Sequence, residues 1–277
     1  MDVILNSRED WRHARKMLEL INISKTFDPN TTYAKTIING LNLKVNDEDF
    51  ICVIGANGSG KSTVFSLIAG SILSDSGKII LDGKNITMDA EYKRAHYIGR
   101  LFQDPMLGTA PDLTVYENLM LAAKQGSWLS IPSRSEKQYL KQRLSELDMG
   151  LEDRMNTPVR LLSGGQRQAL TLIMATINPP KILLLDEHTA ALDPESADKV
   201  IALTEKIVSQ NRITCLMITH NMNQALQLGN RTIMLNDGKI VYESEGEERK
   251  KLTVNDLISR FRSAVGKDLD DDEILLD

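Results

Sequence analysis

Nine residues, "GANGSGKST" at positions 55–63, constrain the fold of this chain more than any other stretch. They fit the spacing G-x-x-x-x-G-K-[ST] and lie between a β-rich apolar run, "DFICVIG", and a helical pattern, "GKSTVFSLIAG", that Gly70 ends. Glycines allow consecutive backbone N–H groups to point at phosphate oxygens, which the amino end of the following helix also attracts. This context disfavours a glycine-rich turn with an incidental lysine. The residues that we predict to bind the phosphates are Gly55, Asn57, Gly58, Ser59, Gly60, Lys61, Ser62 and Thr63.

The lysine and the serine of this loop have separate predicted roles. Lys61 neutralises the β- and γ-phosphates, and the hydroxyl of Ser62 is a ligand for Mg²⁺. Such a loop needs a carboxylate at the tip of a neighbouring strand to hold the hydrated metal, and Asp186, after the apolar run "ILLL", suits that role. Glu187, one residue further on, is placed to orient and deprotonate an attacking water. The alternative for Glu187 is a solvated acid at the end of a loop.

Strands and helices alternate after residue 163, and this order predicts the fold class. Strands of continuous apolar character, separated by helices, are typical of a parallel sheet that is covered on both faces. We predict an α/β protein: a P-loop NTPase core with a mostly parallel sheet, an antiparallel β lobe and an inserted helical lobe at about 104–163. Residues 17–246 form this nucleotide-binding domain, after an N-terminal extension at 1–16 and before a C-terminal helix and acidic tail at 247–277.

Composition narrows the classes of partner. The net charge of −5 gives no broad basic surface, so we do not expect a nucleic acid partner. Cys52 and Cys215 lie inside apolar runs, which predicts buried free thiols and a reducing compartment. No apolar stretch approaches the ~18 residues that span a bilayer, and the first residues lack the apolar core of a secretory signal. If the protein works at a membrane, we expect it to dock to a partner that spans it.

A second glycine motif, "LLSGGQRQAL" at 161–170, opens another helix. A serine and two adjacent glycines at a helix amino end make a further anion-binding site. One nucleotide does not need two such sites in the same subunit. We therefore expect Ser163, Gly164 and Gly165 to serve a nucleotide that a second copy of the chain holds.

The motifs "GANGSGKST", "LSGGQ", "LLLDE", "ALDP" and "ITH", in this order, resemble those of the ATP-binding cassette (ABC) ATPase family over about residues 17–245. The resemblance implies ATP and Mg²⁺ as cofactors, and two copies that hold two ATP molecules head to tail. It implies that Gln103, in "FQDP", contacts Mg²⁺ or the lytic water and senses a transmembrane partner. The segment Ser163–Gln166 would close on the γ-phosphate of the opposite copy, and Asp193 would lie in a loop that crosses the dimer seam.

The same resemblance assigns two further contacts. His220, in "MITHNM", matches a histidine that bonds the γ-phosphate, and it would assist catalysis with Glu187, Lys61 and Gln103. Phe27 stands roughly where the family stacks an aromatic ring on adenine, and Tyr33 is the competing candidate.

One residue departs from the family pattern. The family usually has proline where His188 stands, so the chain reads "DEHT" instead of "DEPT". Histidine frees the backbone dihedral that proline fixes and adds a titratable ring. One interpretation is a tolerated substitution whose side chain faces away from the nucleotide. The other is that His188 tunes Glu187 or contacts the partner subunit.

The segments "DEHTAALDP", "QDPMLGTAPDLTVYENL" and "GEERKKLTVNDLI" are similar to a subgroup of stand-alone importer ATPases. That similarity implies a separate permease, an indirect role for a substrate-binding protein, a small solute such as an aromatic amino acid, and a place on the cytoplasmic face of the cell membrane. An exporter ATPase is an alternative. So is a soluble ABC protein that acts on nucleic acid or the ribosome, although the single cassette and the acidic charge disfavour it.

Overall fold

A computed structural model describes residues 15–124 and 134–265 of the chain. Its central sheet has six strands in the order β10-β9-β3-β8-β7-β6, and all neighbours are parallel except β10 with β9. The six strands are β3 (Phe50–Ile54), β6 (Ile98–Leu101), β7 (Ile182–Asp186), β8 (Thr214–Ile218), β9 (Arg231–Asn236) and β10 (Lys239–Glu245). The parallel arrangement brings the carboxyl ends of β3, β6, β7 and β8 to one edge.

A second sheet of four antiparallel strands, in the order β2-β1-β4-β5, covers one side of the first. Its strands are β1 (Lys16–Phe27), β2 (Lys35–Asn46), β4 (Ser76–Leu81) and β5 (Lys84–Asn85). Asp82 and Gly83 join β4 to β5, and both have positive φ, as a two-residue hairpin turn requires. The predicted α/β class with an antiparallel β lobe is therefore confirmed.

Nine helices lie in the described ranges, in addition to short 3₁₀ turns. They are α1 (Lys61–Ala69), α2 (Glu91–Arg94), α3 (Val115–Lys124), α4 (Arg134–Ser145), α5 (Gly164–Thr176), α6 (Pro194–Asn211), α7 (Met222–Gln227), α8 (Gly246–Lys250) and α9 (Val254–Val265). Helices α3 and α4 belong to the predicted helical lobe, and both pack against α5. Within the described residues, no helix is long and apolar enough to cross a membrane.

The side chains of β3 alternate between two hydrophobic cores. Ile51 and Val53 point to the core that contains α1 and the antiparallel sheet, whereas Cys52 and Ile54 point to the core that contains α5, α6 and the helical lobe. A strand buried on both faces needs apolar residues at every position, which explains its continuous apolar sequence. Cys215 on β8 is also buried, and both cysteines are free thiols, as predicted.

The ends of the chain are only partly covered by the structure. The predicted N-terminal extension lies outside the described residues except for its last two positions, and the tail from residue 266 lies outside them as well. The described part of the C-terminal segment packs onto the domain, because Leu257 and Phe261 of α9 are buried in the second core.

Candidate active site

The glycine-rich loop joins β3 to α1, as the motif predicts. Gly55 has φ +150°, and a Cβ atom there would lie 2.2 Å from the carbonyl oxygen of Leu235, so no other residue fits without a shift of the backbone. Gly60, with φ +102°, precedes the first helical residue, and a Cβ there would lie 2.8 Å from Ile38 of β2. Glycine is therefore required both by backbone conformation and by close approach of neighbouring strands.

The side chains of the loop take three different environments. Asn57 lines a pocket of about 490 Å³ that Glu187 and His220 also line. The hydroxyl of Ser59 is buried and has no hydrogen-bond partner among the described residues. Thr63 lies in the first turn of α1 and is half-buried.

Lys61 is buried and bonds to its own loop. Its Nζ donates hydrogen bonds to the carbonyl oxygens of Gly55, at 2.7 Å, and Ala56, at 3.0 Å. Burial lowers the pKa of Lys61, and the charges of Glu187 and Asp186 oppose this shift. The ammonium group is thus held at the loop with two carboxylates near it, where it can exchange carbonyl oxygens for the oxygens of an anion.

Asp186 is the last residue of β7, at the carboxyl edge of the central sheet. The hydroxyl of Ser62 donates to its Oδ1 at 3.3 Å, and Nη2 of Arg100 lies 4.0 Å from its Oδ2. Burial raises the pKa of Asp186, whereas Arg100 lowers it. The structure therefore brings together Ser62 and Asp186, the two predicted metal ligands that lie farthest apart in sequence.

Gln103, the third predicted metal ligand, follows β6 by two residues and is exposed. Because β6 runs parallel to β7, Gln103 lies at the same edge of the sheet as Asp186. In the described ranges its side chain hydrogen-bonds to neither Ser62 nor Asp186.

Glu187 and His220 form a pair that the sequence did not predict. Oε1 of Glu187 lies 2.5 Å from Nε2 of His220, which follows β8 by two residues. The hydrogen bond with His220 is the main cause that lowers the pKa of Glu187, while burial opposes it. Glu187 has φ +45°, a left-handed conformation that costs a residue with a side chain of order 1–3 kcal/mol. The Glu187 side chain is 15% exposed and bonded to histidine, which favours the predicted base over a solvated acid at the end of a loop.

His188 is buried and also lines the pocket that Glu187 and His220 line. Only 3% of its surface is exposed, and its Nε2 lies 3.2 Å from the hydroxyl of Thr204 on α6. Burial lowers the pKa of His188 to about 4, so the ring is neutral near pH 7. A neutral ring adds no charge beside Glu187, so His188 does not tune that carboxylate through charge.

The second glycine motif lies at the start of α5. Ser163 caps the helix: its hydroxyl accepts from the backbone N–H of Gln166 at 3.2 Å, and the Gln166 side chain accepts from the N–H of Ser163 at 3.2 Å. A Cβ on Gly164 would lie 3.1 Å from Leu192, and one on Gly165 would lie 2.9 Å from Ser196. The motif therefore contacts the loop and helix that follow Glu187 within the same chain, a contact that the sequence did not reveal.

Three predicted candidates remain. Asp193 caps α6, because its Oδ1 accepts from the N–H of Ser196 at 3.0 Å, and this bonding lowers its pKa. Phe27 ends β1, is 38% exposed and has Lys25 Nζ 5.9 Å from its ring. Tyr33 lies in the loop before β2 and is 82% exposed. The choice between Phe27 and Tyr33 as the adenine contact stays a prediction.

Comparison with known proteins identifies relatives over nearly the whole described chain. A family model described as "ABC transporter" matches residues 38–190. The tyrosine transport ATP-binding protein of Clostridioides difficile (strain R20291) is 45% identical over 251 residues, which cover 90% of this chain and all of that protein. The spermidine/putrescine import ATP-binding protein PotA of Haemophilus influenzae is 32% identical, and the match covers 91% of this chain but only 64% of PotA.

Solved structures agree with these relatives. The ADP conformation of MJ1267, an ATP-binding cassette of an ABC transporter, superposes with a TM-score of 0.73 at 26% identity and covers 91% of this chain and 99% of that one. The dimeric structure of MJ0796, a bacterial ABC transporter cassette, gives a TM-score of 0.72 at 28% identity, over 83% of this chain and 98% of that one.

Proposed function

The chain belongs to the ABC transporter family of ATP-binding proteins, and we propose that it hydrolyses ATP to drive import of a small solute through a separate permease. The observation that carries the enzymatic part is the cluster at the carboxyl edge of the central sheet. There a phosphate-binding loop carries a buried lysine and a serine hydroxyl that bonds to a carboxylate, and a second carboxylate is bonded to histidine. This is the set of groups that in-line transfer of a phosphoryl group to water requires.

The oxygen donors of the cluster fit Mg²⁺. Oγ of Ser62 and Oδ1 of Asp186 are 3.3 Å apart, and hydroxyl and carboxylate oxygens are ligands that this hard cation prefers. Gln103 offers an amide oxygen from the same edge of the sheet. When bound, the cation would neutralise charge on the β- and γ-phosphates. Lys61 would bind the same phosphates after it releases the carbonyl oxygens of its own loop.

Glu187 is the proposed general base, and His220 is its proposed partner. Water held by the carboxylate attacks the γ-phosphorus, the bond from that phosphorus to the bridging oxygen breaks, and ADP leaves with the electron pair. The proton of the water passes to Glu187. In this proposal His220 contributes in two ways. Its hydrogen bond helps to keep Glu187 ionised, and its ring would contact the γ-phosphate.

The complete site takes two copies of the chain in this proposal. Segment Ser163–Gln166 of one copy would bind the γ-phosphate held by the other copy, and Asp193 would lie at the seam. The dimeric MJ0796 cassette supports an assembly of this kind. Inside one copy, Gly164 lies against Leu192 of the loop after Glu187, so a change at the seam can reach the base through that loop.

We assign the direction of transport and the transported solute by analogy with the relatives. The name of one relative states tyrosine transport and the name of another states spermidine and putrescine import. The higher identity to the tyrosine protein favours an aromatic amino acid. We place the subunit on the cytoplasmic face of the membrane, bound to a permease and served indirectly by a substrate-binding protein.

Reconstitution tests this proposal. The chain, its candidate permease and its candidate binding protein are placed in lipid vesicles, and ATP hydrolysis is measured together with uptake of labelled tyrosine. Both should be present with the wild-type chain and absent with Lys61→Ala. Hydrolysis without uptake of labelled tyrosine would exclude tyrosine as the solute, and a wild-type assembly that does not hydrolyse ATP would exclude the enzymatic function.

A further inference from the structure

His188 is the residue that the ATPase motifs leave without a role, and its surroundings are specific. His188 directly follows Glu187 and is almost fully buried. Within the described part of the chain, its ring makes one hydrogen bond, from Nε2 to the hydroxyl oxygen of Thr204 at 3.2 Å. Thr204 is itself buried on α6, with 1% of its surface exposed. Water is therefore excluded from both partners of this bond.

The direction of the bond follows from the other bond that Thr204 makes. The Thr204 hydroxyl donates its single hydrogen to the carbonyl oxygen of Val200 at 2.8 Å. The same oxygen can then only accept from His188, so Nε2 of His188 carries the hydrogen. The imidazole is fixed as one tautomer by the helix against which it packs.

Proline at position 188 would disfavour the backbone conformation of Glu187. Glu187 has φ +45°, and a residue that precedes proline is pushed towards extended conformations instead. Proline also has no side-chain donor for Thr204. Histidine at position 188 thus permits the left-handed conformation of Glu187 and ties the next residue to α6.

The same helix fixes the other end of the loop. Asp193 caps α6 through the N–H of Ser196, and the loop between these ends closes with bonds from Ala190 N–H to Glu187 O, at 3.0 Å, and Leu192 N–H to Thr189 O, at 3.1 Å. Leu192 is the residue that contacts the glycine motif of α5. Helix α6 therefore bonds to His188 at one end of this loop and to Asp193 at the other.

We propose that His188 is a positioning residue, which orients Glu187 for attack by water through its directional hydrogen bond to Thr204. The inference rests on the proposed ATPase function. His188 takes no part in proton transfer. Its loss should lower kcat and leave KM for ATP and the affinity for ATP nearly unchanged, because the phosphate-binding loop is not attached to it.

Substitutions on both sides of the bond test this role. His188→Met keeps an unbranched apolar side chain in the space but cannot donate, and Thr204→Val keeps the shape but cannot accept. Each should lower kcat roughly five- to tenfold, the effect expected from loss of one hydrogen bond of about 1–1.4 kcal/mol. The double variant should be no slower than the slower single variant, because both changes remove the same bond.

Conservative variants distinguish the bond from packing. His188→Gln places an amide N–H near the position of Nε2, and Thr204→Ser keeps the hydroxyl. Both variants should therefore keep a kcat close to that of the wild-type chain. The matched control is Thr176→Val on α5. Thr176 is equally buried and bonds to the carbonyl oxygen of Leu172 at 2.7 Å, without a histidine partner. It should lower Tm as Thr204→Val does, with kcat unchanged.

The measurements are kcat and KM for ATP, binding of a fluorescent ATP analogue, and Tm of the full chain. The proposal is overturned if His188→Met and Thr204→Val keep the wild-type kcat, if His188→Gln is no faster than His188→Met, or if Thr176→Val is as slow as Thr204→Val. Failure of the ATPase function itself is a different result, because the wild-type chain would then show no hydrolysis for any variant to change.

Discussion

At the scale of single residues, the assignment of Glu187 leads to a direct prediction. Glu187→Gln keeps the shape of the side chain and removes its ability to accept a proton, so we expect ATP binding with hydrolysis reduced by at least about 100-fold, the lower end of general-base effects. Because nucleotide is not consumed, the variant should accumulate as an ATP-bound dimer. Steady-state hydrolysis and light scattering with and without ATP measure the two effects. Hydrolysis at the wild-type rate would falsify the assignment of Glu187 as base.

The two cysteines give a prediction about pH. Burial raises the pKa of Cys52 to about 12 and raises that of Cys215 as well, so both thiols stay neutral well above pH 8 in the folded protein. Only the thiolate reacts with disulfide reagents. We expect no labelling at pH 8 in buffer and two labelled thiols per chain in denaturant. The unfolded chain releases thiol protons at lower pH than the folded chain does, so stability should also fall as the pH rises above the ordinary thiol range.

Rapid labelling of one or both thiols in buffer, at a rate independent of denaturant, would contradict the buried positions of Cys52 and Cys215. A chain without exposed thiols is also a convenient background in which single cysteines can be introduced at the proposed dimer seam.

How much of the site could be predicted differs from residue to residue. Gly55 and Lys61 belong to a local motif, and Asp186 ends an apolar run. Such patterns can be predicted, because they reflect requirements of consecutive residues. The bond between Glu187 and His220 joins β7 to the end of β8, and the bond from His188 to Thr204 joins a loop to a helix. No spacing in the sequence specifies these partners, because the packing of distant segments decides which side chains meet.

At the scale of secondary-structure elements, buried arginines from elsewhere in the chain donate hydrogen bonds to the carbonyl oxygens at the ends of two helices of the site, α1 and α7. Arg94 of α2 donates to the carbonyl oxygens of Leu67 and Ile68, in the last turn of α1, at 2.7 and 2.9 Å. Gly70, the predicted end of α1, allows this approach, since a Cβ there would lie 2.7 Å from Nε of Arg94. The free carbonyls at a helix end need such donors, but a sequence does not reveal a donor that is distant along the chain.

Arg249 of α8 caps the carboxyl end of α7, the helix that follows His220. Its guanidinium donates to the carbonyl oxygens of Ala225, Leu228 and Gly229 and to the hydroxyl of Thr232. Arg249→Met fills much of the space but removes every donor, so we expect the free energy of unfolding to fall by about 2–4 kcal/mol. Hydrogen bonds from charged groups contribute about 1.5–3 kcal/mol each, and their contributions do not add fully. Urea denaturation measures the change.

Arg212→Met is the matched control for this experiment. Arg212 is exposed and lies 3.8 Å from Glu48 in a surface ion pair, so its loss should change stability by no more than about 0.5 kcal/mol. Equal effects of the two substitutions would mean that the cap of α7 contributes nothing specific.

At the scale of the whole molecule, alternation of strands and helices predicted the α/β class, because a parallel sheet needs crossover helices and two apolar faces. The contact between the glycine motif of α5 and the loop after Glu187 was not predictable in this way, since no spacing in the sequence specifies which of these segments pack together. This contact places the proposed partner-facing residues against the loop and helix that follow the base in the same copy, although the nucleotide that they would serve is proposed to belong to the other copy. If each site is shared between two copies, mixing two defective variants should produce some intact sites.

Two inactive variants should therefore restore activity to each other. Lys61→Ala disables the phosphate-binding loop, and Gly164→Asp puts a negative charge where the partner's γ-phosphate would bind; its Cβ meets only the flexible end of Leu192 at 3.1 Å. Each homodimer has two defective sites. A mixed dimer has one site with both defects and one intact site, formed by Lys61 of the second variant and Gly164 of the first.

An equal mixture contains about half mixed dimers by random pairing, so it should show up to about a quarter of the wild-type rate. Hydrolysis measured as the mixing ratio is varied should peak at equal amounts. If each copy instead contained its whole site, no mixture would hydrolyse ATP faster than the separate variants do.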